Sequence, residues 1–251
     1  METVLSNVGN AAFNDPFYGW IDNEQIYFAD RNTGIRRIGV NERNLALSTS
    51  DAKYDYFVQN NRLEYYGNPW QYGAMNACFA KVDGLWYWGK TYGGGGIFRF
   101  AESDISPVDI SRGTNPPYAT IFPDEFVKSF VIDATNQILY AVIRDKGLYA
   151  VPLTDITAND ATKTNTKAES KYLVASFKSD SEGSVGEYVD VCQMVLDSTD
   201  GSVYFGLRAE EGSSETSGVK RWNPTTKKLE TIVSGVNVYG IALNNELSNL
   251  F

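Results

Sequence analysis

Apolar and aromatic residues fall along this chain in short clusters divided by polar turns, and no stretch keeps a helical period between caps. One pattern returns four times: an apolar strand, a turn, a strand ending in an aromatic pair, a polar loop, then Gly and a third strand. The copies are FYGWIDNEQIYFADRNTGIRRIG, NACFAKVDGLWYWGKTYGGGGIFRF, SFVIDATNQILYAVIRDKGLYAV and CQMVLDSTDGSVYFGLRAEEGSSETSGVKRW. Tyr27, Tyr87, Tyr140 and Tyr204 share one register, and Gly34, Gly96, Gly147 and Gly218 open the third strands. Asp-Gly at 83–84 and 200–201, with Asn-containing turns at 22–23, 136 and 244–245, supplies hairpin chemistry.

A fourth strand is expected in each copy at 44–48, 107–111, 172–177 and 229–233. Four antiparallel strands, repeated about every 50–60 residues, predict an all-β chain of β-propeller blades. A blade cannot bury both faces alone, so neighbouring blades build the core. A fifth copy, VYGIALNNELSNLF, begins near Val238. The expected architecture is one domain over 1–251 with five four-stranded blades, residues 1–12 supplying an outer strand that closes the ring. The stretch at about 51–75 reads as an inserted hairpin and loop; read as a compressed blade it would make six. The Thr/Asn/Lys-rich tract 154–171 reads as a solvated loop.

Ile26-Tyr27-Phe28-Ala29-Asp30, followed by Gly34-Ile35-Arg36-Arg37-Ile38, resembles the YWTD and NHL types of propeller repeat. Those repeats run aromatic-aromatic-x-Asp and then a Gly-led basic strand. The other copies have Gly89, Ile143 and Leu207 nearest the place of that Asp. The resemblance implies the propeller fold and carries no catalytic residue to this chain.

Composition narrows the chemistry. The chain has no His, which removes Ser-His-Asp triads, Cys-His dyads and His-ligated metal sites. No cofactor and no metal site is expected. A net charge of −9 disfavours nucleic acid as a partner. No apolar run reaches the length of a membrane span. The start METVLSNVGN lacks the basic and apolar regions of a signal peptide. A bacterial periplasmic or cell-surface domain is expected, with the cytoplasm as the alternative. Cys78 and Cys192 lie in first strands of non-adjacent copies and are expected as buried free thiols.

Arg31, Arg144 and Arg208 each follow the repeat Tyr by four residues, and Lys90 follows Tyr87 by three. Each cation stands where the second strand enters its loop, and in a propeller those loops gather on one rim. Guanidinium groups there suit a carboxylate, a phosphate or an acidic peptide. Paired with Asp30, Asp145, Glu210 or Glu211, the same cations would instead bind blade to blade. Trp70 and Tyr72, near Tyr92, form a second candidate surface of the kind that anchors protein and glycan partners, or else they cover the insertion's own core. The glycine run 93–96 precedes a strand rather than a helix, so it is no phosphate cradle. Acids at Asp15, Asp124, Glu125, Glu187 and Asp190 allow a carboxylate-driven glycosidase or lactone-cleaving enzyme. The favoured reading is a non-catalytic module that presents one rim to a protein, peptide or glycan partner, anionic ligands included. An enzyme and a structural repeat domain are the alternatives.

Overall fold

In the computed structural model, the described residues are 5–7, 16–30, 34–41, 45–47, 55–59, 76–90, 96–101, 103, 119–123, 125–144, 146–156, 165–176, 190–208 and 217–244. The chain divides into two compact units, one of Met1–Asp124 with Ala158–Thr164 and one of Glu125–Thr157 with Asn165–Phe251.

In the first unit, β1 (Leu5–Asn7) pairs in parallel with β5 (Leu45–Leu47). The first antiparallel sheet runs β2 (Pro16–Asp22), β3 (Gln25–Asp30), β4 (Gly34–Gly39) and β6 (Asp55–Gln59). The second runs β7 (Asn76–Val82), β8 (Leu85–Lys90), β9 (Gly96–Ala101) and β10 (Ala119–Ile121). In the second unit, the third sheet runs β11 (Val127–Asp133), β12 (Ile138–Ile143), β13 (Gly147–Pro152) and β15 (Leu173–Ser176). In chain order the two-residue β14 (Asn165–Thr166) comes between β13 and β15, which pair directly with each other. The fourth sheet runs β16 (Asp190–Leu196), β17 (Val203–Arg208), β18 (Gly218–Asn223) and β19 (Lys228–Ser234).

All four sheets repeat one register. Tyr27, Tyr87 and Tyr204 stand opposite Arg37, Arg99 and Arg221, while Tyr140 stands opposite Ala150. Every first strand carries a shift near its start, between Pro16 and Tyr18, Asn76 and Cys78, Val127 and Ser129, and Val191 and Gln193. Such a bulge bends and twists the strand at a sheet's end. The opening glycines Gly96, Gly147 and Gly218 have φ of 102°, 146° and 143°. A Cβ on them would run into the backbone carbonyls of Phe122, Ala175 and Val233. The third strand can therefore leave its loop close beside the fourth only through glycine. Asn23-Glu24 and Asp83-Gly84 close the first two hairpins with positive φ at both positions (48° and 59°, 52° and 74°), the twist that two-residue hairpin turns require.

Packing joins successive sheets within each unit. In the first unit, Trp20 and Tyr27 meet Trp86 at 5.4 and 4.8 Å between ring centroids, and Trp20 meets Phe79 at 6.1 Å. Lys81 donates to the Asp22 carboxylate at 2.9 Å and lies 5.6 Å over Trp86. In the second unit, Tyr140, Val142 and Leu148 of the third sheet form one buried cluster with Val191, Met194, Val203, Phe205, Leu207 and Trp222 of the fourth. The aromatic excess thus goes into sheet faces, where flat rings cover large area.

Four expectations change. Among the described residues there are four such sheets, not five or six. The outer strand of the first sheet is β6, whose Val58 alternates into place opposite Ile35, so residues 44–48 are not that strand and part of the expected insertion is. The Leu5–Asn7 strand lies on β5 and not on the last sheet, which overturns closure by the N-terminal segment. Residues 235–244 form no strand, so the fifth copy builds no sheet there. In the second sheet β10 pairs with β9, while the expected 107–111 lies outside the described residues. Cys78 is buried and forms no disulfide, as expected. Cys192, however, is the extra residue of the β16 bulge, whereas Cys78 pairs opposite Gly89, so the two registers differ.

Candidate functional site

The second unit brings two of the expected cations to one end. Ile143 stands opposite Gly147 and Leu207 opposite Gly218, so Arg144 and Arg208 hold equivalent places just beyond. This is the end where β11 and β16 begin, Val127 pairing with Ile143 and Asp190 with Arg208. The Arg144 amide donates to the Phe126 carbonyl at 2.9 Å, and its guanidinium lies 5.8 Å over the Phe126 ring. Arg208 lies 5.6 Å over the ring of Tyr239, which is 71% exposed. Lys146, in the same loop as Arg144, pairs with Glu125 at 2.5 Å. Stacking on a ring is a preferred setting for the planar, weakly hydrated guanidinium.

The opposite end of the unit has another character. There Asp133 accepts from the Asn136 amide and side chain at 2.9 and 2.7 Å, and Asp197 accepts from the Thr199 amide at 2.9 Å. These acids fold their own turns. The hairpin end thus holds acids that form turns, while the loop end holds Arg144 and Arg208 together with the Lys146–Glu125 pair.

Lys90 stands opposite Gly96 and so takes the register of Ile143 and Leu207, one place short of Arg144 and Arg208. Arg31, Trp70, Tyr72 and Tyr92 lie outside the described residues. So do Asp15, Asp124, Glu187, Asp145, Glu210 and Glu211, and of Asp30 and Asp190 only the backbone is described. Glu125 is engaged by Lys146.

A second arginine set went unnoticed in the sequence, although its spacing is regular: Gly34 to Arg37, Gly96 to Arg99 and Gly218 to Arg221. These are the cross-strand partners of the repeat tyrosines. Tyr87 and Arg99 are both buried. Burial raises the Tyr87 phenol above its ordinary value against the opposing pull of the Arg99 charge and hydrogen bond. Arg221 lies 5.7 Å over Tyr204 and reaches Asp200 at 2.6 Å and Glu230 at 3.6 Å. Burial works against ionisation of Asp200, but hydrogen bonds from Ser202 and the nearby Arg221 hold its carboxyl below the usual range.

Burial also raises the phenols of Tyr140 and Tyr149. A raised folded value means that the native state keeps a proton which the unfolded chain has lost. Stability should therefore be flat below about pH 10 and fall as pH rises through the raised values. Urea midpoints measured from pH 8 to about 11.5 check this; a midpoint unchanged across that range would contradict it.

The chain matches no protein-family model, and no curated protein matches it. Solved structures do. It is similar to an extracellular domain assigned to a one component system of B. thetaiotaomicron, at 14% identity and a TM-score of 0.53, over 95% of this chain and 26% of that one. The same protein assigned as a hybrid two component system gives 14% and 0.51, over 89% of this chain and 26% of the other. A structural genomics protein of unknown function from Bacteroides thetaiotaomicron VPI-5482 gives 13% and 0.51, over 90% of this chain and 45% of the other. The chain thus spans between about a quarter and a half of the length of these neighbours. With the repeated sheets, the likeness defines the class: an all-β protein of the β-propeller fold, built from blades of four antiparallel strands.

Proposed function

We propose that this chain is a non-catalytic binding module that takes an anionic partner, a carboxylate-bearing glycan or acidic peptide, at the edge holding Arg144 and Arg208. The observation that carries the reading is the repeated placement of a half-buried guanidinium over an aromatic ring at one end of adjacent sheets. Prior stacking lowers the entropy lost when a guanidinium engages a carboxylate. Tyr239 offers a largely exposed ring beside it, the kind of surface on which sugar faces and peptide groups rest. Lys146 adds positive charge in the same loop, tempered by Glu125. Arg31, Lys90, Trp70, Tyr72 and Tyr92 are proposed as further contributors on other blades.

A bacterial periplasmic or cell-surface setting fits this role, since two of the similar structures are described as extracellular domains of a one component or hybrid two component system. A ligand-reading extracellular domain is the specific role proposed.

Calorimetric titration with a uronic-acid oligosaccharide and with a polyglutamate peptide tests the reading. One of the two probes should bind, more weakly at higher salt. Arg144→Glu and Arg208→Glu should each weaken that binding at least about ten-fold while leaving thermal stability within a few degrees. Unchanged affinity in both variants would overturn the assignment.

A further inference from the structure

The first and fourth sheets each leave apolar side chains exposed. In the second unit the third sheet turns Tyr140, Val142 and Leu148 toward the fourth, and Val174 and Ala175 of its outer strand pack on the same cluster. The fourth sheet repeats this design in register. Leu148 stands opposite Ala175 with a shift before Leu173, and Val219 stands opposite Val233 with the same shift before Thr231. Ile232 and Val233 thus hold the places of Val174 and Ala175. Yet they are 50% and 42% exposed, and Val236 just beyond is 48% exposed.

The trailing segment confirms which face this is. A Cβ on Gly206, which holds the place of Val142, would meet the side chains of Val238 and Ile241. The Ile241 amide also donates to the Gln193 side chain at 3.3 Å. Residues 238–241 therefore cover part of the face, leaving the outer-strand apolar side chains uncovered.

The first sheet shows the reciprocal feature. Leu196, opposite Val203, packs on the third-sheet side of the fourth sheet. Ile21, opposite Ile26 and one place past the Trp20–Tyr27 pair, holds the same position in the first sheet. Trp20 points the other way, into the Phe79–Trp86 contact, and Ile21 is 65% exposed.

We propose that the fourth sheet of one copy of this chain docks on the first sheet of a second copy, with Ile232, Val233 and Val236 against Ile21. In both units the face that carries the repeat tyrosine receives the opposite face of another copy of this repeat. The proposed contact continues that interface and uses no residue of the arginine edge except the neighbouring segment. Because the two faces differ, it is heterologous, so copies can add head to tail until a ring closes.

Sedimentation of the 251-residue chain between about 1 and 100 μM tests it. Self-association is expected, weakened at least about ten-fold by Ile21→Asp or by Ile232→Asp. Both positions are exposed, so circular dichroism should not change; Val233→Lys replaces Ile232→Asp if it does. Mixing the two variants decides the geometry. Ile21→Asp keeps an intact fourth sheet and Ile232→Asp an intact first sheet, so the mixture should form a one-to-one pair that grows no further. A wild-type chain that stays monomeric throughout overturns the proposal. Variants that associate like wild type, or a mixture that stays monomeric, overturn it equally.

Discussion

Trp86→Ala should lower the unfolding free energy by about 3–5 kcal/mol, the cost expected for emptying a large, fully packed aromatic site. Trp86 is fully buried and forms the centre of the contact between the first two sheets. Its ring meets Trp20, Tyr27 and Phe79 at 5.4, 4.8 and 5.9 Å, and Lys81 lies 5.6 Å above it. The ring neighbours are held in sheet positions, and Lys81 is tied to the Asp22 carboxylate, so the space does not readily fill. Urea unfolding followed by circular dichroism measures the loss. A loss under about 1 kcal/mol would mean that the ring cluster does not hold the sheets together.

Gly147→Ala should cost about 2–4 kcal/mol, although it adds one methyl group. The backbone there has φ of 146°, and the new Cβ would be driven into the Ala175 carbonyl and against the Leu173 side chain. The obstacle is mostly backbone, so relief requires β15 to move away from β13. Gly235→Ala provides the control, because φ is 76° but nothing lies within 4 Å of the added atom. Only left-handed strain applies there, about 1–2 kcal/mol. Equal losses in the two variants would show that conformational strain, and not the close approach of the fourth strand, sets the glycine.

The repeat was legible because it rests on local chemistry. The Tyr and Gly registers were visible in the sequence, since the two positions meet opposite constraints: a ring to fill the face and no side chain beside a carbonyl. The outer strands were harder. Leu45–Leu47 and Asp55–Gln59 are both short and β-prone, and the choice between them depends on which stands opposite Ile35 across a long loop. The recurrent first-strand bulge left no mark, because residues as different as Phe17, Ala77, Lys128 and Cys192 fill the extra place. That bulge also shifts Cys192 from the place its spacing suggested. At the candidate site, the offset of four from the repeat Tyr found Arg144 and Arg208, whereas the offset of three put Lys90 at a different register. The stacking partners Phe126 and Tyr239 were not legible. One precedes a strand of the same sheet, and the other belongs to a segment that folds back across the fourth sheet.

Binding is proposed at the arginine edge, while folding chemistry lies at the hairpin end. Amide chemical shifts of the labelled protein, followed during titration with the uronic-acid oligosaccharide or polyglutamate, separate the two. The largest changes should fall at Phe126, Arg144, Lys146, Arg208 and Tyr239. Changes centred on Asp133, Asn136, Asp197 and Gly201, or no change with either probe, would contradict it.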